Sequence, residues 1–169
     1  TKQDIQLYCY VEDDINLYPK HENIIYLNLY KEQPLCLQFV ERNKLKSEKG
    51  SSISYLLDSV RFCYKVFAQS DARKYSEQFF FIDADTEFLK KIPTDWYEQC
   101  LPKDSLIAIY DRIGYYTEAG FVGFNSLPLN NKKNKLLDIF FTQYTNYYIY
   151  DLIYSLPAFT DCHALDATR

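Results

Sequence analysis

Phe79-Phe80-Phe81-Ile82 is a continuous apolar run of strand length, and Asp83-Ala84-Asp85 closes it abruptly. Such a run fits a strand buried on both faces of a sheet. Its polar end then falls at the carboxyl edge, where open α/β sheets bind their ligands. The segment before it has helical spacing: Ile53, Leu56, Leu57, Val60, Tyr64, Phe67 and Ala68 form one apolar face, with Ser51 or Ser52 placed to cap it. A second long helix is predicted from about Asn131 to Tyr150, its face made by Leu136, Leu137, Phe140, Phe141, Tyr144, Tyr147 and Tyr148.

Further strands are predicted at Ile5–Val11, Asn23–Leu29, Leu35–Val40, Ser105–Tyr110 and Gly120–Phe124. Glu41 to Gly50 is charged and reads as a solvated loop, and Thr94 to Cys100 as a short amphipathic turn or helix. Strands alternating with long helices imply an α/β protein with a mostly parallel central sheet flanked by helices. The chain has 169 residues, the size of one domain. A start at Thr1 and the lack of any Met lead to the expectation that it is excised from a longer chain, with elements missing at one or both ends.

Composition excludes several classes. A hydrophobic fraction of 47% with 25% charged residues is that of a folded protein with a sizeable core. No apolar run approaches the roughly 20 residues of a membrane span, and no signal peptide is visible. A net charge of −4 argues against a nucleic-acid-coating role. Cys9, Cys36, Cys63, Cys100 and Cys162 are widely spaced and odd in number. They fit neither a zinc ribbon nor a disulfide framework, so reduced thiols in a cytoplasm are expected. Aromatic residues reach 18% of the chain, with 17 Tyr; codon bias explains this better than a ring-stacking site.

The chemistry concentrates around Asp83 and Asp85. In extended backbone, residues two apart point to the same side. Two neighbouring carboxylates repel, and a hard divalent cation such as Mg²⁺ or Mn²⁺ would relieve that repulsion and could clamp a diphosphate. The plainer alternative is a strand that ends in an Asp turn, but Glu87 adds a third acid. Arg61 and Lys65, four apart on the preceding helix, form either a solvated face or a phosphate-binding one. Glu118 lies beside the small residues Ala119 and Gly120, where a carboxylate could accept a hydroxyl proton; Asp111 and Asp161 are its rivals for that role. Trp96 reads better as a helix anchor than as a sugar platform, and His21 has no assigned role.

The run F-F-F-I-D-A-D-T-E-F, with a helix before it and G-F-V-G-F-N after it, resembles the D-x-D segment of GT-A-fold glycosyltransferases. With V-R-F-C-Y-K-V-F-A (60 to 68) and A-F-T-D-C-H-A-L-D (158 to 166), it is similar to the small bacterial glycosyltransferase-like proteins of the majastridin type, over residues 50 to 166. The resemblance implies a single GT-A-like (Rossmann-like) domain over 1–169. It also implies transfer of a sugar from a nucleotide-diphosphate donor, with a UDP-sugar expected, to an unknown acceptor, assisted by Mn²⁺ or Mg²⁺. Carried over, Asp83 would approach the ribose or sugar and share the metal with Asp85, and His163 would complete the metal shell, with Asp161 beside it. Arg61 or Lys65 would reach the diphosphate, and Glu118 or Asp161 would act on the acceptor. No nucleic acid and no integral membrane span are expected. A cytoplasmic location is expected, with attachment to the inner membrane face left open.

Two departures from that family stand out. GT-A domains are usually longer, and their base-gripping first strand and loop are hard to identify within Ile5 to Leu29. Other readings are a GT-A-like module that binds a nucleotide without turnover, and a haloacid-dehalogenase-type phosphohydrolase. Against the latter, Glu87 stands where that pattern has Thr or Val, and Asp83 falls mid-chain. A metal nuclease would want a basic groove.

Overall fold

The computed structural model describes residues 5–46, 54–93, 95–126 and 131–169. It is a mixed α/β structure with two small sheets. Strand β1 (Leu7–Val11) pairs in parallel with β2 (Ile24–Asn28), Leu7 opposite Ile24 and Val11 opposite Asn28. Both lie where the sequence predicts strands. Helix α1 (Leu29–Glu32) follows β2 directly, capped by Asn28, which accepts from the Lys31 amide at 3.0 Å.

Helix α2 (Pro34–Asn43) replaces the strand predicted at Leu35–Val40. Proline at the first position of a helix costs no hydrogen bond and sets φ for the turn. From there Cys36, Phe39 and Asn43 are buried at helical spacing, whereas the short apolar run L-C-L-Q-F-V taken alone reads as a strand. The helix runs through Glu41 to Asn43 and a turn follows at Lys44–Lys46, so the first half of the predicted charged loop is helical; residues 47–50 of that prediction lie outside the described residues.

Helix α3 (Ser59–Ala72) begins later than its periodicity suggests. Asp58 caps it, accepting from the Arg61 amide at 3.2 Å. Tyr55–Leu57 form a separate turn, held where Leu56 O accepts from the Phe159 amide at 2.8 Å. Ser51, Ser52 and Ile53, the predicted cap and first apolar position, lie outside the described residues. Of the predicted face, Val60, Phe67 and Ala68 are buried and Tyr64 half-buried, whereas Leu56 and Leu57 are exposed; Cys63 and Val66, not predicted there, are buried as well.

The three-stranded sheet has the order β3-β5-β4, with β3 at Gln78–Ile82, β4 at Ile107–Tyr110 and β5 at Glu118–Asn125. Strands β3 and β4 run in the same direction, each antiparallel to β5 between them. Among the described residues, therefore, only β1 and β2 pair in parallel, and the mostly parallel central sheet expected from the sequence is not formed. The physical reason is connection length. The link 111–117 between β4 and β5 is too short for the crossover that parallel pairing needs. Nor is the apolar run the middle strand: every residue of β3 is half-buried, while β5 carries Val122 and Phe124 at 0% exposure. Gly123 in β5 gives Phe80 its place, since a Cβ there would stand 2.6 Å from the Phe80 ring.

Side chains alternate across this sheet. Phe79, Phe81, Val122 and Phe124 face a core formed with α2, α3 and α5 (Asn131–Ile149). Phe80 and Phe121 face the other way and stack, ring centroids 5.2 Å apart, beside Trp96 of α4 (Trp96–Cys100). Trp96 is thus an anchor for its short helix. In α5, Phe140, Phe141, Tyr144 and Tyr148 form the buried stripe, and Leu136, predicted on that face, is exposed. Arg42 closes the end of α5. It donates to Tyr148 O and Ile149 O and pairs with Asp151 at 3.0 Å, a cation where the helix leaves carbonyls unpaired. The tail forms a further helix, α6 (Asp161–Thr168), whose cap Thr160 accepts from the His163 amide at 3.3 Å. Among the described residues no helix is long and apolar enough to cross a membrane.

Candidate functional site

Strand β3 delivers Asp83 to the edge of the sheet, and the ladder continues one residue further, Asp83 N–H donating to Gly120 O at 2.8 Å. The chain then turns, with the Thr86 amide donating to Asp83 O at 3.0 Å. Asp83 and Asp85 therefore flank a turn rather than sharing the face of an extended strand, which corrects the spacing argument. The turn nevertheless keeps both on one cavity. That cavity, open and of about 380 Å³, is lined by Tyr55, Arg61, Phe62, Lys65, Asp83, Ala84 and Asp85. Four of the residues singled out in the sequence meet there: Arg61, Lys65, Asp83 and Asp85.

Arg61 and Lys65 project from one face of α3, as their spacing requires. They do different things. The Arg61 guanidinium lies over the Tyr55 ring, 4.9 Å from its centroid, and 3.6 Å from Asp58 Oδ2, with over half its side chain exposed. The Lys65 ammonium is drawn inward, 2.8 Å from Asp83 Oδ2 and 3.1 Å from Asp161 Oδ2. Burial alone would pull the Lys65 pKa down. The charges of Asp161 and Asp83, with a hydrogen bond to Asp83, outweigh that and hold it well above the ordinary lysine value.

Asp161 opens α6 and is 1% exposed. Burial raises its carboxyl above the usual range, and Lys65 and the Cys162 amide partly offset this. It is too enclosed behind Lys65 to meet an acceptor, so its action on the site passes through Lys65.

Gly120 explains how Asp83 fits. A Cβ at that position would stand 2.7 Å from Asp83 Oδ2 and 3.0 Å from Glu118 Oε1. The small residue read in the sequence as room for a ligand is room for the Asp83 carboxylate. Glu118 itself is engaged at both oxygens: Oε1 accepts from the Gly120 amide at 2.9 Å, and Oε2 lies 3.1 Å from Arg112. Asp111 sits in the exposed connection before it.

His163 stands apart from the cavity lining. Its Nδ1 is 2.7 Å from Thr160 Oγ1, and its ring lies against Tyr116 with centroids 3.5 Å apart. Burial lowers its pKa, against the charges of Asp166 and Asp161. Among the described residues no group of three or more His, Cys, Asp or Glu side chains comes together to hold a metal. Asp83 and Asp85 remain as hard oxygen donors facing the cavity. This is the kind of pair on which Mg²⁺ rests when water and a bound phosphate supply the other ligands.

Sequence reasoning missed Tyr55 and Arg112. Tyr55 precedes the helix start and had no periodic signal of its own. Arg112 is set by the fold of a connection that the sequence marks only by Gly114. Comparison with known proteins adds no identification: no family model, no curated protein and no solved structure matches the chain.

Proposed function

We propose that the chain is a metal-assisted glycosyltransferase of the GT-A kind, taking a nucleoside-diphosphate sugar, with a UDP-sugar expected, in the cavity between α3 and the Asp83 turn. The observation that carries this reading is the convergence of Arg61, Lys65, Asp83 and Asp85 on that one cavity. Each was picked from the sequence for phosphate or metal chemistry, and although spacing keeps Arg61 near Lys65 and Asp83 near Asp85, nothing in the sequence requires the two pairs to meet.

Their roles follow from their surroundings. Arg61 is the exposed cation of the cavity, steadied against Tyr55, and its fork suits bidentate contact with a phosphate. Lys65 is committed to Asp83 and Asp161, so it positions Asp83 rather than gripping the diphosphate. Asp83 and Asp85 would hold Mn²⁺ or Mg²⁺, which when bound offsets charge on the departing nucleoside diphosphate. With Lys65 and Arg61 against Asp83, Asp85 and Asp161, the residues present leave a small negative excess, so an anionic ligand without a cation would be repelled.

A nucleotide-binding module without turnover is the second reading. It is favoured by the double engagement of Glu118, which leaves that carboxylate poorly placed as a base. Thermal shift against uridine, guanosine and cytidine diphosphates and their sugars, with and without Mn²⁺, tests both, since a ligand that binds the folded state raises its melting temperature. Asp85→Asn, at an exposed turn position, is expected to keep the fold and lose the Mn²⁺-dependent shift. No shift with any nucleotide, or a shift unchanged in Asp85→Asn, refutes the site. A shift without sugar transfer or donor hydrolysis selects the module.

A further inference from the structure

Cys36 and Cys63 meet where α2 packs on α3, inside the core. Both are 0% exposed, and their sulfurs lie 4.0 Å apart. A second contact fixes the same two helices about one turn further along each. Phe39 and Phe67 both pack on the Tyr148 ring of α5, with centroids 5.3 and 6.5 Å away. Three helices therefore hold the two thiols side by side. Cys9, Cys100 and Cys162 lie on β1, α4 and α6, and each keeps some exposure.

A buried thiol behaves as a small apolar side chain, which accounts for the burial of each cysteine singly. It does not account for sulfur meeting sulfur, a contact worth only a weak S–H hydrogen bond. A disulfide holds its sulfurs about 2.05 Å apart, so the pair must close by about 2 Å, within reach of side-chain rotation and a small approach of the helices. The two cysteines are 27 positions apart in the chain. A link between them removes much freedom from the unfolded state. Cys63 also stands two positions from both Arg61 and Lys65, so at 3.6 residues per turn it faces away from them. A link there braces the helix that carries these cations without entering their cavity, whose lining does not include Cys63.

We propose that Cys36 and Cys63 are a cross-linking site: given a low-molecular-weight disulfide such as oxidised glutathione, they form one disulfide that staples α2 to α3. One cysteine loses its proton and attacks a glutathione sulfur; the glutathione S–S bond breaks and one glutathione leaves as thiolate. The second cysteine, deprotonated in turn, attacks the protein sulfur of the mixed disulfide and expels the other glutathione. The cysteines give up two electrons and two protons, and two glutathione thiols receive them. Burial, with the Cys36 sulfur beside it, pushes the Cys63 thiol well above its ordinary value, so the folded chain offers little thiolate. The exchange therefore runs while the chain folds or when α2 opens, and the same burial then shields the finished link. The site does not depend on the donor reading above.

The test starts from the reduced full chain, unfolded in urea and refolded in a buffer of reduced and oxidised glutathione. Remaining thiols are alkylated under denaturing conditions, and the non-reduced peptides are read by mass spectrometry. A peptide pair joined through Cys36 and Cys63 is expected as the main cross-link, with Cys9, Cys100 and Cys162 alkylated or carrying glutathione. The linked chain should melt roughly 10 °C above the same sample treated with dithiothreitol, the scale for a loop of this length in a chain of this size. Cys63→Ala should lose that response to dithiothreitol. Recovery of Cys36 and Cys63 as alkylated thiols overturns the proposal, as does a main product that joins either of them to another cysteine. A Cys36–Cys63 linked chain that melts no higher than the reduced one equally overturns it, since the link would then be no staple.

Discussion

Replacing Lys65 with Met leaves Asp161 without the cation that compensates its burial. Asp161 is 1% exposed, and its Oδ2 lies 3.1 Å from the lysine. Removing one partner of a buried pair costs about 3–5 kcal/mol. Because about a quarter of Lys65 is exposed, solvent screens part of that, and the expected loss is about 3 kcal/mol at neutral pH. For a chain of this size that lowers the melting temperature by roughly 6–12 °C. The pH dependence separates this cause from a simple packing defect. Asp161 already has a folded pKa above its ordinary 3.8, chiefly through burial, with Lys65 pulling it down. Without Lys65 it rises further. A carboxyl raised on folding makes the folded chain bind more protons than the unfolded one between the two pKa values. Stability therefore climbs as pH falls through that window, and the window is wider in the variant. The Lys65→Met deficit should be largest near pH 7 and shrink as pH falls toward 3.8, where the folded Asp161 carries its proton with or without Lys65. Urea denaturation of both proteins across this range measures it. Lys65→Met with Asp161→Asn should recover most of the loss. A deficit that is absent, that stays constant with pH, or that the second substitution fails to reduce would refute the reasoning.

Gly120→Ala forces the Asp83 carboxylate to move, because the new methyl would sit 2.7 Å from Oδ2. A carboxylate end can swing, so the stability cost should be about 1 kcal/mol, the low end for overpacking, while the nucleotide-induced thermal shift disappears; a normal shift would show that Asp83's position does not matter. For His163, burial depresses the folded pKa below 6.5, so its contribution is fully present above that pH and is lost as pH falls through the folded value. His163→Gln should therefore flatten the acid side of the stability profile below about pH 6.5 in urea melts, and an unchanged slope would count against a neutral, buried imidazole.

Local pattern made much of the molecule legible. The long helices α3 and α5, strands β1, β2, β4 and β5, and the acid-closed run at β3 all follow from period and punctuation. The failures share a cause. In L-C-L-Q-F-V a short apolar run reads as a strand, although Cys36 and Phe39, three apart, share a face only in a helix, and it is that face that docks on α3. Thr160 and Asp161 carry the signature of a helix start, a capping hydroxyl followed by an acid. No element is predicted for the tail, because a helix of eight residues is too short to show a clear period.

The sequence by itself determined the chemical inventory of the candidate site. An apolar strand must end somewhere, and here it ends on two acids; a helix with Arg61 and Lys65 one turn apart must show both on one side. What the tertiary structure decided is who partners whom. Asp161 is far along the chain from Lys65 and Asp83, and only the packing of α6 beside α3 brings the three within hydrogen-bonding distance. That arrangement commits Lys65 to bracing Asp83, sets His163 against Tyr116 and outside the cavity lining, and gives Glu118 to Arg112. Periodicity reports which face of an element seeks burial. Charge pairing across elements depends on distances of a few ångströms, which no spacing along the chain encodes.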